Sequence, residues 1–313
     1  MRAVTIEDGK LAIHEHPDPV PGKGELLVRV RAAGLNGADM FQLRGVYPAP
    51  PGSPADIPGL ELAGEVVGLG PDATRFQPGD RVMALVGGGG QAELAVVHER
   101  IAMPVPDRMT WAEAGGFPEV FVTAHDALFT QCGLSLGERL LVTGAAGGVG
   151  TAAVQLAAAA GASVVATVRS PERHRAVAEL GAELVVLPAD VAGTGPFDVI
   201  LELVGAPNLP TNLRLLASRG RISVIGTGAG TTFELDLRLL MTLRARLMGS
   251  ALRSRPLEQK ADAVRRVEVA VLPALASGRM RVPVTATYPL QRAEEAYERF
   301  QAGTKLGKVV LET

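Results

Sequence analysis

The sequence predicts an α/β fold: a doubly wound parallel sheet inserted into a β-rich domain that is split along the chain. Three observations predict it. Short apolar runs broken by Gly and Pro fill residues 1–114, strand and helix patterns alternate over 115–252, and residues 253–313 return to strands. With 313 residues, 47% of them hydrophobic and 20% charged, the chain can bury a core in each of two domains.

In the first stretch AVTI, LAIHEH, ELLVRVRAAGL, LAGEVVGLG and RVMALV read as strands. The loop RGVYPAPPGSPADIPG is too rich in Pro and Gly for a helix or a central strand. A long irregular loop in a compact domain is a candidate functional segment. In the second stretch RLLVTG, ASVVATV, LVVL, FDVILELVG and RISVIGTG read as strands, with helices over VGTAAVQLAAAAG, PERHRAVAELG and NLPTNLRLLASRG. Such alternation implies parallel strands covered by helices on both faces. PADVAGTGP is too short and broken for a full helix, so one crossover is abbreviated. The tail reads as a long amphipathic helix, PLEQKADAVRRVEVAVLPALASG, then a strand RVPVTATYPL, a helix QRAEEAYERFQAG and a strand KVVLE that complete the β domain.

Composition excludes several function classes. The 31 basic and 33 acidic residues are interspersed and leave a formal charge of -2, so no field favours nucleic acid or an anionic membrane. Small-molecule partners are expected. The single cysteine, Cys132, supports neither an internal disulfide nor a cysteine-rich zinc lobe. The N-terminus lacks a long apolar run and no segment has the length of a membrane span, so a soluble cytoplasmic protein is expected.

The stretch VTGAAGGVG carries the strongest chemical signal. Gly144, Gly147 and Gly150, or A-x-G-x-x-G from Ala145, follow a strand and open a helix, which is the setting of a dinucleotide fingerprint. Bare backbone at Gly147 admits a pyrophosphate, and the helix opening through Gly148 and Val149 offers unpaired N–H groups and a partial positive charge. Gly150 allows close packing of that helix. The alternative is a tight turn without a ligand. An NAD site usually has an acid about 20 residues further on; here Val168 and Arg169 stand there, and Arg169, Ser170 and Arg173 can donate to a 2'-phosphate. NADP(H) is therefore the expected cofactor, with Glu172 counting against it and ordinary surface arginines as the alternative.

Taken with AAGLNGADM, IPGLELAGEVVGLG, PGDRVMALVGGGGQAE, FPEVFVTAHDAL and LRSR, the chain resembles the medium-chain dehydrogenase/reductases over essentially its whole length. Within them it is similar to the zinc-free, zeta-crystallin-like quinone oxidoreductases. The resemblance implies a Rossmann doubly wound sheet inserted into a GroES-like β domain. Where the zinc enzymes of that family place a catalytic Cys this sequence has Asn36, and where they place His it has Leu60. Their third ligand falls near Glu119, and one carboxylate is short of the three protein ligands of a catalytic zinc. The pair His14 and His16 is expected to face solvent from an edge strand. No metal is expected.

Without a Lewis acid a carbonyl is hard to activate, whereas a quinone is an intrinsically good hydride acceptor. The resemblance thus implies NADPH-dependent quinone reduction. Candidate catalytic residues are Tyr47, whose ring can stack and whose hydroxyl can donate a proton, and Asn36, whose amide can donate to an acceptor oxygen or to the cofactor. The bland readings are loop packing and a turn cap. By resemblance Thr123 lies beside the nicotinamide, and Val204, Gly226, Thr227, Ser250 and Leu252 complete the cofactor site. Lys308 reaches the phosphates or else guards an edge strand. Glu61 is expected to be structural, and Cys132 a small buried residue. Reduction of an enone or enoyl alkene is the enzyme alternative, and a non-catalytic NADPH-binding or RNA-binding role the other. RLMGSAL is expected to extend a sheet between the subunits of a homodimer.

Overall fold

The computed structural model describes all 313 residues. They form two compact units, Met1–Val122 with Leu252–Thr313, and Thr123–Ala251.

The first unit begins with β1 (Arg2–Glu7), β2 (Lys10–Glu15), β3 (Glu25–Gly34), α1 (Gly37–Leu43), β4 (Glu61–Leu69), β5 (Arg81–Leu85), β6 (Leu94–His98), β7 (Ala102–Pro104) and α2 (Trp111–Gly115). The chain leaves it inside α3 (Pro118–His125). The second unit runs through β8 (Arg139–Val142), α4 (Gly148–Ala159), β9 (Ser163–Thr167), α5 (His174–Ala178), β10 (Leu184–Val186), β11 (Phe197–Glu202), α6 (Leu209–Arg214), β12 (Leu216–Val224), α7 (Leu237–Leu243) and β13 (Arg246–Gly249). The chain then returns to the first unit with α8 (Leu257–Ala270), α9 (Leu272–Ala276), β14 (Val284–Pro289), α10 (Ala293–Gln301) and β15 (Lys308–Glu312).

In the second unit six parallel strands stand in the order β10-β9-β8-β11-β12-β13. The order reverses between β8 and β11, and in such sheets ligands sit at the carboxyl ends beside that reversal. The glycine stretch follows β8 directly. In the first unit β15 pairs antiparallel with β3, so the last strand of the chain closes a sheet begun near its start. That sheet runs β14-β15-β3-β4-β5-β7, with β6 also on β3. The abbreviated crossover is a 3-10 turn over Pro188–Gly193. No helix is long and apolar enough to cross a membrane.

Two element boundaries differ from the sequence reading, and the first unit runs on to Val122 and resumes at Leu252, beyond the expected divisions at 114 and 253. NLPTNLRLLASRG is helical only to Arg214, because Leu216 joins the sheet core opposite Phe197. Tertiary packing here overrides a local helical pattern. The register shifts after that pair, and Arg219 takes up the shift with φ 69°. The long tail helix breaks at Val271 because Pro273 has no N–H to continue it. His14, in β2, faces solvent, whereas His16, just past the end of that strand, turns back and bonds Thr5 Oγ1 at 2.8 Å.

Candidate functional site

In the second unit the turn from β8 to α4 needs left-handed backbone at Gly144, φ 61°, where a Cβ would stand 3.2 Å from Val204 Cγ2. Ala145 N–H is spent on Thr167 O at 3.1 Å and Gly147 N–H on Gly144 O at 3.0 Å, so neither main-chain donor is left for a ligand. Gly147 caps α4 without a side chain, and the first bond of the helix runs from Thr151 N–H to Gly147 O at 2.8 Å. The N–H groups of Gly148, Val149 and Gly150 therefore have no acceptor within the helix. A Cβ added to Gly147 would meet nothing nearer than Gly144 O at 3.4 Å. The space over Gly147 is open, and three donors sit at the positive end of a 12-residue helix. A dinucleotide diphosphate fits this cradle. Gly150 serves packing instead: its Cβ would lie 2.6 Å from Ala145 Cα.

At the end of β9, Val168 is buried and donates its N–H to Val186 O at 3.0 Å, so its side chain belongs to the core. Arg169 is exposed, with no hydrogen bond or ion pair. Arg173 Nη1 donates to Ser170 Oγ at 3.2 Å, and its Nη2 lies 3.6 Å from Glu172 Oε1, which offsets part of its charge.

Glu202, at the end of β11, is a residue the sequence reading missed. Its buried carboxylate accepts from Val204 N at 2.6 Å, Gly205 N at 2.8 Å, Asn208 Nδ2 at 3.3 Å and Asn212 Nδ2 at 2.6 Å. Four donors fix the loop that carries Val204. An acid closing the apolar run VIL of a largely buried strand was the available signal. Gly226 lies against Leu203, whose O would be 2.0 Å from an added Cβ, and Thr227 beside it is exposed. Ser250 Oγ donates to Asp126 Oδ2 at 3.1 Å, and Thr123 is buried.

The first unit holds the other cluster. Lys308 opens β15 and is only 2% exposed; its Nζ donates to Leu35 O at 2.6 Å, Asn36 Oδ1 at 2.8 Å and Glu61 Oε1 at 2.6 Å. All three protons are used inside the unit, which corrects the expectation that Lys308 reaches phosphates. Asn36 Nδ2 donates to Glu61 Oε1 at 2.9 Å and Gly34 O at 3.2 Å. Its amide is thus committed inward, which corrects its assignment as a donor to substrate or cofactor. Glu61 is the buried counter-ion, and its Oε2 accepts Glu119 N–H at 2.8 Å.

Around this core stand two proton-bearing groups. Burial, with the Glu61 carboxylate nearby, pushes the Glu119 carboxyl up to about 8, so it carries a proton at neutral pH. Tyr47 is half-buried in the Pro-rich loop, and burial raises its phenol pKa. Leu252 is buried in the same unit.

Comparison with known proteins gives consistent matches. Residues 22–107 match the alcohol dehydrogenase GroES-like domain and residues 148–268 the zinc-binding dehydrogenase family. A chloroplastic quinone-oxidoreductase of Triphysaria versicolor is 32% identical, over 95% of this chain and 92% of its own. A mycobacterial protein solved in complex with NADPH superposes with a TM-score of 0.88 at 27% identity, over 100% of both chains. A solved NAD-dependent alcohol dehydrogenase superposes at 0.86 and 27% identity, again over 100% of both. The zinc that the second family's description implies does not fit the residues present. Leu60 has no lone pair, and Asn36 and Glu61 are already bound to an ammonium whose charge opposes a dication. Glu119 alone remains, against the three protein ligands required.

Proposed function

Because the chain belongs to the medium-chain dehydrogenase/reductase family, we propose that it is an NADPH-dependent quinone oxidoreductase working without a metal. The observation that carries this reading is the open space over Gly147 beside three unused N–H groups of α4, a shape the fold itself does not need. Quinone oxidoreductases among the relatives support the reaction class.

When bound, the reduced nicotinamide supplies a hydride. Gly147, with the N–H groups of Gly148, Val149 and Gly150, takes the diphosphate. Arg169 supplies an uncommitted guanidinium for the 2'-phosphate, supported by Ser170 and Arg173, with Glu172 beside Arg173 counting against it. Thr123, Val204, Gly226, Thr227, Ser250 and Leu252 are assigned to the nicotinamide half. Tyr47 stacks on the acceptor and delivers the proton. With the Lys308 ammonium spent on Leu35 O, Asn36 and Glu61, the chain offers no free cation to a carbonyl, and a quinone needs none. The single buried cysteine fits a reducing compartment such as the cytoplasm.

A homodimer belongs to the same proposal. β13 is the outer strand of the parallel sheet, and Leu247 on it, with Leu237 and Met241 of α7, exposes apolar surface that a second copy pairing along this edge covers. A monomer in light scattering rules that out. The function is tested by following absorbance of the reduced nicotinamide with NADPH and NADH against a panel of quinones and enones. Oxidation of NADPH by quinones supports the reading. Turnover with enones alone favours the alkene reductase, and tight NADPH binding with no oxidation favours a binding protein.

A further inference from the structure

Arg253, in the stretch LRSR, is 4% exposed, and its guanidinium donates hydrogen bonds only to neutral acceptors. Nε donates to Gly87 O at 2.7 Å, Nη1 to Tyr47 O at 3.0 Å and Nη2 to Gln42 Oε1. No carboxylate hydrogen-bonds it; the buried Asp39 carboxylate acts on it only through space, and a buried cation without a hydrogen-bonded counter-ion is costly to keep. What it holds is therefore informative. The guanidinium carbon lies 5.1 Å from the centre of the Tyr47 ring, within cation–π range. Gln42 extends the brace, since its Nε2 donates to Ala55 O at 3.1 Å. Tyr47 at one end of the Pro-rich loop and Ala55 at the other thus hang from one guanidinium, directly and through Gln42. Gly87 ties the same group to the segment after β5, and an added Cβ there would stand 2.1 Å from Ser53 Oγ.

We propose that Arg253 is a positioning residue: it holds the Pro-rich loop and sets Tyr47, carbonyl and ring together, for the acceptor. The part concerning catalysis rests on the quinone reductase reading above. The planar fork is the requirement, because three acceptors in different directions and a ring face suit a guanidinium and not a point-like ammonium.

The test compares Arg253→Ala, Arg253→Lys and Tyr47→Phe in the full chain, reading steady-state kinetics and amide hydrogen exchange over residues 44–56. Arg253→Ala is expected to raise the quinone KM about tenfold, to leave the NADPH KM within about twofold, and to speed exchange in the loop. Added guanidinium ion restores both readouts, and Arg253→Lys recovers only part. Loop exchange and quinone KM at the native level in Arg253→Ala, or failure of guanidinium to restore them, overturns the proposal. Should Arg253→Ala not fold, Arg253→Lys with native exchange overturns it equally. Full activity in Tyr47→Phe contradicts the proton-donor role of Tyr47 and leaves the brace standing on exchange and rescue. If the native chain oxidises NADPH with no quinone, the function reading fails and the exchange data still decide the brace.

Discussion

Lys308→Met removes the ammonium from the buried cluster while keeping most of the side-chain volume. Three acceptors lose their donor at once: Leu35 O, Asn36 Oδ1 and Glu61 Oε1, the last on a residue that is 0% exposed. Glu61 keeps Asn36 Nδ2 and the Glu119 N–H, but its charge stays buried and uncompensated. Breaking a buried pair in this way costs about 3–5 kcal/mol. At about 2–4 °C per kcal/mol for a domain of this size, the melting temperature of the first unit falls by about 6–20 °C. Differential scanning calorimetry reads the loss, and the double variant Lys308→Met with Glu61→Gln recovers part of it, since a neutral amide no longer needs a counter-charge. A single variant within about 1 kcal/mol of the native protein, with no coupling to Glu61→Gln, would refute the view that this pair organises the site.

Glu119 ties stability to pH: its pKa is raised from 4.5 to about 8, so the folded state binds the extra proton and stability falls as pH rises through that window. Glu119→Gln is expected to flatten the stability profile between pH 5 and 8 by about 1.4 kcal/mol per pH unit, and an unchanged slope of stability against pH, from denaturant titrations across that range, contradicts it. Arg169→Asp is expected to weaken NADPH binding by about one to two decades with little effect on NADH, as the loss of a charge-assisted contact requires. Equal loss for both cofactors in a fluorescence titration removes Arg169 from the 2'-phosphate. Glu202→Gln leaves a carboxamide whose NH2 faces N–H donors. It is expected to destabilise the second unit by about 1–3 kcal/mol and to speed exchange at Val204 and Gly205; native exchange there argues against the loop's dependence on Glu202.

Most of the fold was legible because strands and helices announce themselves locally. The glycine stretch, the alternation around it and the returning tail strand need only neighbours in sequence to be recognised. The boundary at Leu216 was not, because its partner Phe197 decides it across the sheet. The candidate site divides the same way. The cradle lies within one turn and could be read, but Lys308 meets Asn36 across 272 positions and Arg253 meets Gln42 across 211. No local pattern reveals that an exposed-looking lysine at the head of a strand is consumed by a buried carboxylate.

Gly147→Val probes the cradle most directly. The backbone there, φ -75° and ψ 172°, suits any residue, and an added Cβ meets only Gly144 O at 3.4 Å, so the variant is expected to fold with a loss of no more than about 1 kcal/mol from the weaker cap. Calorimetric titration with NADPH should then show binding weakened by at least about a hundredfold, because the side chain fills the space assigned to the diphosphate. Native NADPH affinity in a well-folded Gly147→Val protein would mean that the phosphates lie elsewhere.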